Sequence, residues 1–153
     1  MGCSISFGPR TICAIPSTIA HIFCSANDST NLIYYTASAD GKTWPHSVAP
    51  NPDCTTINAP SACVFQNRLY LFWKASDNRD SIYWTNVPEA GNTWLDGQPV
   101  NQSATTAEAP VACVYRDKLC LFWKSNDDAN FIYWTQLEGD STATANSTSA
   151  QSH

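Results

Sequence analysis

The sequence predicts an all-β fold assembled from about three repeated units of four short strands each. Three observations carry that prediction. The first is repetition at a spacing of 50 residues: Ala59-Pro60-Ser61-Ala62-Cys63-Val64-Phe65 returns as Ala109-Pro110-Val111-Ala112-Cys113-Val114-Tyr115. Leu69-Tyr70-Leu71-Phe72-Trp73-Lys74 returns as Leu119-Cys120-Leu121-Phe122-Trp123-Lys124, and Ile82-Tyr83-Trp84-Thr85 as Ile132-Tyr133-Trp134-Thr135. A fainter upstream copy runs through Pro9, Cys13, Ile33-Tyr34-Tyr35-Thr36 and Gly41-Lys42-Thr43-Trp44, the last answered by Gly91-Asn92-Thr93-Trp94. The second observation is that Val, Ile, Tyr, Phe, Trp and Thr fill short runs punctuated by Gly, Asn, Asp and Pro, the composition of strands and turns. The third is that no stretch sustains a helical period. Repeats of this length mark solenoids, propellers and arrays, and four short antiparallel strands per repeat describe one blade of a β-propeller.

The elements follow in order. Residues 1–7 read as a strand, because Cys3, Ile5 and Phe7 alternate with Ser4 and Ser6. This N-terminal strand is expected to close a blade, of its own chain or of a partner. Residues 8–58 form the first blade and 59–108 the second. In the second, residues 62–65 make a strand, Gln66-Asn67-Arg68 a tight turn, 69–75 a strand, 77–80 a turn and 81–86 a strand. Residues 88–92 then turn again, and Thr93-Trp94-Leu95 begins a fourth strand. The third blade, 109–136, is incomplete because no Gly-x-Thr-Trp follows Thr135. Residues 137–153, rich in Ser, Thr, Ala and Asn, have little to bury and read as a disordered tail. A propeller ring takes roughly 4–8 blades. Three blades leave open faces, and the expectation is a homodimer that completes six; a fragment of a longer propeller is the alternative.

Bulk properties exclude several classes. At 153 residues the chain suits one domain, with 43% hydrophobic, 12% aromatic and 14% charged residues. The net charge of −5, with scattered Lys and Arg, offers no basic footprint, so no nucleic-acid partner is expected. No apolar run is long enough for a transmembrane segment. Seven cysteines, an odd number, argue against a fully paired secreted framework. Cys13, Cys63 and Cys113 take equivalent places and read as buried thiols. With no CxxC pair and three scattered His, no metal site and no cofactor are expected. The N-terminus lacks the basic and apolar regions of a signal peptide, so a cytoplasmic or non-classically secreted protein is expected. Met1-Gly2-Cys3-Ser4-Ile5-Ser6 fits an acylation pattern, although the strand reading of this segment is preferred. Asn27-Asp28-Ser29, Asn101-Gln102-Ser103 and Asn146-Ser147-Thr148 are glycosylation sequons that matter only in a secreted chain.

The repeat A-P-x-x-C-V-[FY]-x-x-x-L-x-L-F-W-K, followed by I-Y-W-T and G-x-T-W, resembles the tandem repeats of bacterial and fungal β-propeller lectins. The likeness is to Photorhabdus-type fucose-binding propellers and, more distantly, to fungal fucose lectins, over about residues 8–135. Ser38-Ala39-Asp40-Gly41-Lys42-Thr43-Trp44 also looks like the Asp-box, a structural turn between blade strands. The resemblance implies sugar sites in clefts between neighbouring blades, with fucose favoured. The chain departs from those bacterial lectins in blade number, since they carry a full ring in one chain.

The residues themselves suit sugar binding better than catalysis. A sugar offers one apolar C–H face and several hydroxyls, so its site needs an aromatic plate beside fixed polar groups. Trp73, Trp84, Trp123 and Trp134, with Tyr35 in the first repeat, supply plates at repeated positions. Lys74 and Lys124 follow directly, and Asp77, Asn78, Asn126 and Asp127 lie in the adjacent turns. The competing reading is packing: Leu69, Leu71 and Trp73 face one way and Tyr70, Phe72 and Lys74 the other. Trp44 and Trp94 are assigned to the structural turn, and about half of the other four Trp to core between blades. No recurrent carboxylate pair, no cluster of Arg and no G-x-S-x-G is present, so an enzyme is not expected. The leading function is a multivalent lectin for glycans or glycoproteins. The alternatives are a propeller scaffold that binds protein and an inactive remnant of a propeller hydrolase.

Overall fold

The computed structural model describes residues 7–14, 19–88, 91, 93–126, 131–137 and 146–149. The acylation pattern at residues 1–6, most of the expected N-terminal strand 1–7, and Asp127 lie outside the described residues. Among the described residues every regular element is a strand. The first sheet holds β1 (Phe7–Ala14), β2 (Ala20–Ala26) and β3 (Ile33–Ser38). The second holds β4 (Ser61–Phe65), β5 (Arg68–Lys74), β6 (Ile82–Pro88) and β7 (Gln98–Pro99). The third holds β8 (Val111–Tyr115), β9 (Lys118–Lys124), β10 (Ile132–Leu137) and β11 (Asn146–Ser149). Each sheet runs up and down, every strand pairing antiparallel with its sequence neighbour. The first strands β1, β4 and β8 lie beside one another, which sets the three sheets as successive blades of a β-propeller.

Local chemistry explains the turns. In the β4–β5 hairpin Gln66 and Asn67 have φ of 49° and 56°; in the β8–β9 hairpin Arg116 and Asp117 have 50° and 57°. Two consecutive positive φ values match the right-handed twist of the flanking strands, and Asn and Asp tolerate them well. The register of β1 on β2 shifts between Phe7 and Arg10, where Pro9 has no N–H to donate. Linkers latch each blade to the next: Thr56 N–H donates to Asn31 O at 2.8 Å, and Thr106 N–H to Asp80 O at 3.0 Å.

Two outer strands differ from the sequence expectation. In the second blade the fourth strand is Gln98–Pro99, paired with Tyr83 and Trp84, not residues 93–95. That earlier segment is held by Leu95 N–H donating to Asn86 O at 3.1 Å and by the Thr85 hydroxyl donating to Leu95 O at 2.6 Å. Trp94 is thereby turned into the core, where it is 7% exposed. In the third blade residues 146–149, expected within a disordered tail, form β11 on β10 from Tyr133↔Ser149 to Gln136↔Asn146. This strand takes the edge that the N-terminal strand was expected to fill. An outermost strand adds mainly backbone bonds to the ladder, so its sequence need not carry apolar alternation.

Each blade packs face to face on the next. Leu69, Leu71 and Trp73 form one core with Phe23, Ile33 and Trp94. From the other face of the same sheet, Tyr70 and Phe72 form a second core with Leu119, Leu121 and Trp123. The alternation along β5 therefore serves two interfaces at once. The third blade lacks a following neighbour among the described residues, and its exposure records that. Phe23 and Phe72 are 0% exposed, whereas the equivalent Phe122 is 36% exposed.

Thiol reactivity should follow the same geometry. Burial, then the charge of Asp53, pushes the Cys54 thiol up to about 12. Cys63 is buried as the sequence led one to expect, but Cys113 is exposed because the face it shares is uncovered. At pH 8, at concentrations that keep the chains apart, an aromatic disulfide reagent should label Cys113 and leave Cys54 unmodified until denaturant is added. Peptide mapping that found Cys54 labelled at native rates would contradict this packing.

Candidate functional site

A cleft of about 300 Å³ opens at the junction of the first and second blades. The linker between the blades contributes Asp53 and Thr55. The end of β5 and its following loop contribute Trp73, Ala75, Ser76 and Asp77, β6 contributes Tyr83, and Asp96-Gly97 precede β7. A second hollow of about 570 Å³ adjoins it, lined by Asp77, Asn78, Arg79, Ser81, Tyr83, Pro99, Asn101 and Gln102. Asp77 and Tyr83 border both.

The cleft is built by local sequence. Trp73 and Tyr83 are cross-strand partners, and their rings stack at 6.0 Å and 28°. Gly97 lies against them: a Cβ there would stand 3.1 Å from Trp73 Cη2, a tight contact that glycine avoids. Asp77 Oδ1 accepts the N–H groups of Arg79 at 3.0 Å and Ser81 at 3.2 Å, fixing the loop as an Asx turn. Asn51 Oδ1 accepts Asp53 N–H at 3.0 Å, while Asn51 Nδ2 donates to Asp96 Oδ1 at 3.4 Å and ties the two rims together. The cleft thus offers three carboxylates as acceptors, the hydroxyls of Thr55 and Ser76, and the half-buried ring of Tyr83, stacked on a Trp73 that is only 2% exposed. That combination suits a small polyhydroxylated ligand. Among the described residues no group of three or more His, Cys, Asp or Glu is arranged to hold a metal ion.

The residues singled out from the sequence divide. Trp73 and Asp77 line the cleft, and Asn78 lines the adjoining hollow. Tyr35 instead lies between Phe23 and Trp94, with centroids at 5.7 and 5.4 Å. Trp84 stacks on Tyr70 at 5.8 Å, and Trp123 is buried between blades, stacked on Tyr133 at 6.1 Å. Trp134 is half-buried on the third sheet. The Lys74 ammonium, 8% exposed as a residue, donates to Asp80 Oδ1 at 2.8 Å and to Ala107 O at 3.3 Å. Asn126 Nδ2 donates to Asp80 Oδ2 at 2.8 Å. Asp80 is therefore a tie between the second and third blades, and the Lys74 hydrogen bond holds its carboxyl below the usual range. Lys124 Nζ donates to Glu108 Oε1 at 3.4 Å. Lys74 and Asn126 hold blades together in this structure, and neither lines the cleft.

Sequence reasoning missed Asp53, Thr55, Tyr83, Asp96 and Gly97. One signal was available: the linker Asn51-Pro52-Asp53-Cys54-Thr55-Thr56 returns as Asn101-Gln102-Ser103-Ala104-Thr105-Thr106. Its Asn caps the same turn in both copies, with Ser103 N–H donating to Asn101 Oδ1 at 2.8 Å.

The turn after β3 is held by its own side chains. Asp40 Oδ1 accepts the N–H groups of Lys42 at 2.8 Å and Thr43 at 2.7 Å, and Oδ2 accepts the Thr43 hydroxyl at 2.9 Å. Gly41, at φ 67°, permits the reversal. These bonds, the Thr43 N–H foremost, hold the Asp40 carboxyl far below the usual carboxylate range. A carboxyl depressed on folding stabilises the fold above its unfolded value of about 4 and loses that contribution as pH falls toward the folded value. Asp40→Asn should therefore lower the melting temperature at pH 7 and converge with wild type in strong acid. Parallel melting curves at every pH would contradict the turn geometry.

The fold is that of a β-propeller, and it is similar to several solved structures. The chain is similar to the Aleuria aurantia lectin in complex with Fucalpha1-6GlcNAc, with a TM-score of 0.65 and 13% identity over 96% of this chain and 47% of that one. It is also similar to a family 117 glycoside hydrolase of Zobellia galactanivorans, with a TM-score of 0.64 and 16% identity over 95% and 56%. A third similar structure, the GH43B of the Bacteroides ovatus xyloglucan locus, gives a TM-score of 0.62 and 10% identity over 95% and 31%. The chain spans about half or less of each of these proteins. No family model matches the sequence, and no curated protein does.

Proposed function

We propose that this chain is a carbohydrate-binding propeller module, a lectin that holds glycans in clefts between neighbouring blades. The single observation that carries the reading is the cleft of Asp53, Asp77, Asp96 and Tyr83, which sets clustered acceptors around a half-buried aromatic ring. Fucose-terminated glycans are the favoured ligands, supported by the likeness of the repeats to fucose-binding propellers and by the fucosides in the similar lectin structures. Two chains completing a six-bladed ring would present several such clefts and raise avidity well above single-site affinity. A labelled sample on a glycan array should give binding that free sugar competes away. An array without a competed signal would overturn the reading.

A non-catalytic role is part of the proposal. A glycosidase needs a carboxylic acid held protonated by its surroundings. The sequence repeats carry no recurrent pair of carboxylates of the kind that chemistry uses. The alternative, a propeller hydrolase, is kept in view by the similar glycoside hydrolase structures. Incubation with a panel of fluorogenic glycosides, a sialoside included, tests it: turnover lost in Asp96→Ala would replace the lectin reading.

A further inference from the structure

Among the described residues the third blade leaves open the face that the first two blades cover. Ile33 and Ile82 are 0% exposed, and the equivalent Ile132 is 53% exposed; Phe65 is 7% exposed, and Tyr115 59%. Inside the chain, part of the cover comes from Trp94, which reaches back from the second blade onto the first. It meets Phe23 at 6.0 Å and 87°, and Tyr35 at 5.4 Å and 70°. Trp44 holds the same place in the first blade. The Thr36 hydroxyl donates to Pro45 O at 2.9 Å, as the Thr85 hydroxyl donates to Leu95 O at 2.6 Å, and in each case the residue before the anchored carbonyl is the tryptophan. Trp44 is 37% exposed, against 7% for Trp94. The receptor geometry also repeats, because Phe23↔Tyr35 and Phe122↔Trp134 are the same cross-strand pair of their respective blades.

We propose that a second copy of this chain completes both surfaces: Trp44 of one copy enters against Phe122 and Trp134 of the other, as Trp94 enters against Phe23 and Tyr35 within the chain. The seam is thus a continuation of the interface between the first and second blades. A two-fold axis makes two equal seams and leaves no face open. This inference rests on the two-chain ring of the proposed function and assigns the contacts that close it.

The experiment is light scattering on the full chain, alone and in mixtures. Wild type should run at twice the chain mass of 16.8 kDa. Trp44→Ala and Phe122→Asp should each weaken association by ~10-fold or more, as loss of a buried aromatic anchor does. Circular dichroism should show both variants folded, because both side chains are partly exposed in the single chain. Mixing the two variants should restore a dimer, since the pair retains one intact seam while each variant alone has none. A wild type that stays monomeric would overturn the two-chain ring, and open-ended assemblies would overturn its two-fold closure. A wild-type dimer that both variants preserve would overturn the seam assigned here and leave the ring. Glycan binding in the cleft between the first and second blades should be unchanged in Trp44→Ala, which separates failure of the seam from failure of the lectin reading.

Discussion

Phe72→Ala should destabilise the protein by about 3–5 kcal/mol, the range for removing a buried aromatic ring. Phe122→Ala, the same change one repeat later, should cost much less in the single chain. The two positions share strand, register and immediate sequence: Phe72 pairs with Trp84 and Phe122 with Trp134. They differ in what covers them. Phe72 is 0% exposed beneath the third blade, whereas Phe122 is 36% exposed. Removing Phe72 also leaves a cavity walled by Leu119, Leu121 and Trp123, which two rigid sheets cannot collapse to fill. Chemical denaturation at concentrations that keep the chains apart measures both costs. Equal losses at the two sites would mean that the third blade is covered in the single chain.

Asp53→Ala and Asp96→Ala should each weaken glycan binding by roughly 10-fold or more while leaving the melting temperature nearly unchanged. Both residues are exposed on the cleft rim, so folding depends little on either carboxylate. A hydrogen bond from a sugar hydroxyl to a carboxylate is worth about 1.5–3 kcal/mol, and 1.4 kcal/mol corresponds to about a factor of ten in affinity. Asp96 has a second part, since its carboxylate receives Asn51 Nδ2 at 3.4 Å across the two rims. Its loss should therefore be the larger of the two. Calorimetric titration with a methyl fucoside gives the comparison. Wild-type affinity in both variants would remove these residues from the site.

The strand plan was legible because repetition and β-forming residues act locally. The Gln66-Asn67 turn, the strand Leu69 to Lys74 and the strand at Ile82 all follow from composition and turn chemistry alone. The outer strands were harder to read. Gln98–Pro99 and Asn146–Ser149 carry few of the apolar residues that reveal a strand, and their place is set by the backbone ladder of the neighbour. The candidate site was half legible. Asp77 and Trp73 stood out because they repeat, but repetition also marks core: Trp73 lines the cleft at only 2% exposure, and Trp84 and Trp123 pack between sheets. Lys74 followed Trp73 in sequence yet faces the next blade, because strand alternation sends neighbours to opposite faces. Asp53 and Asp96 lie 43 residues apart, and only the folded arrangement of linker and blade brings them to one cleft.

The most direct test of the central claim is a nuclear magnetic resonance titration of protein labelled at its six tryptophan indoles with a methyl fucoside. The Trp73 indole lies at the base of the cleft, and Trp84 is packed on Tyr70 in the core between blades. The account expects a saturable shift of the Trp73 indole N–H resonance, lost in Asp96→Ala, with the Trp84 resonance unmoved. Indole resonances that stay fixed at saturating sugar, or that shift at Trp84 and not at Trp73, would contradict it.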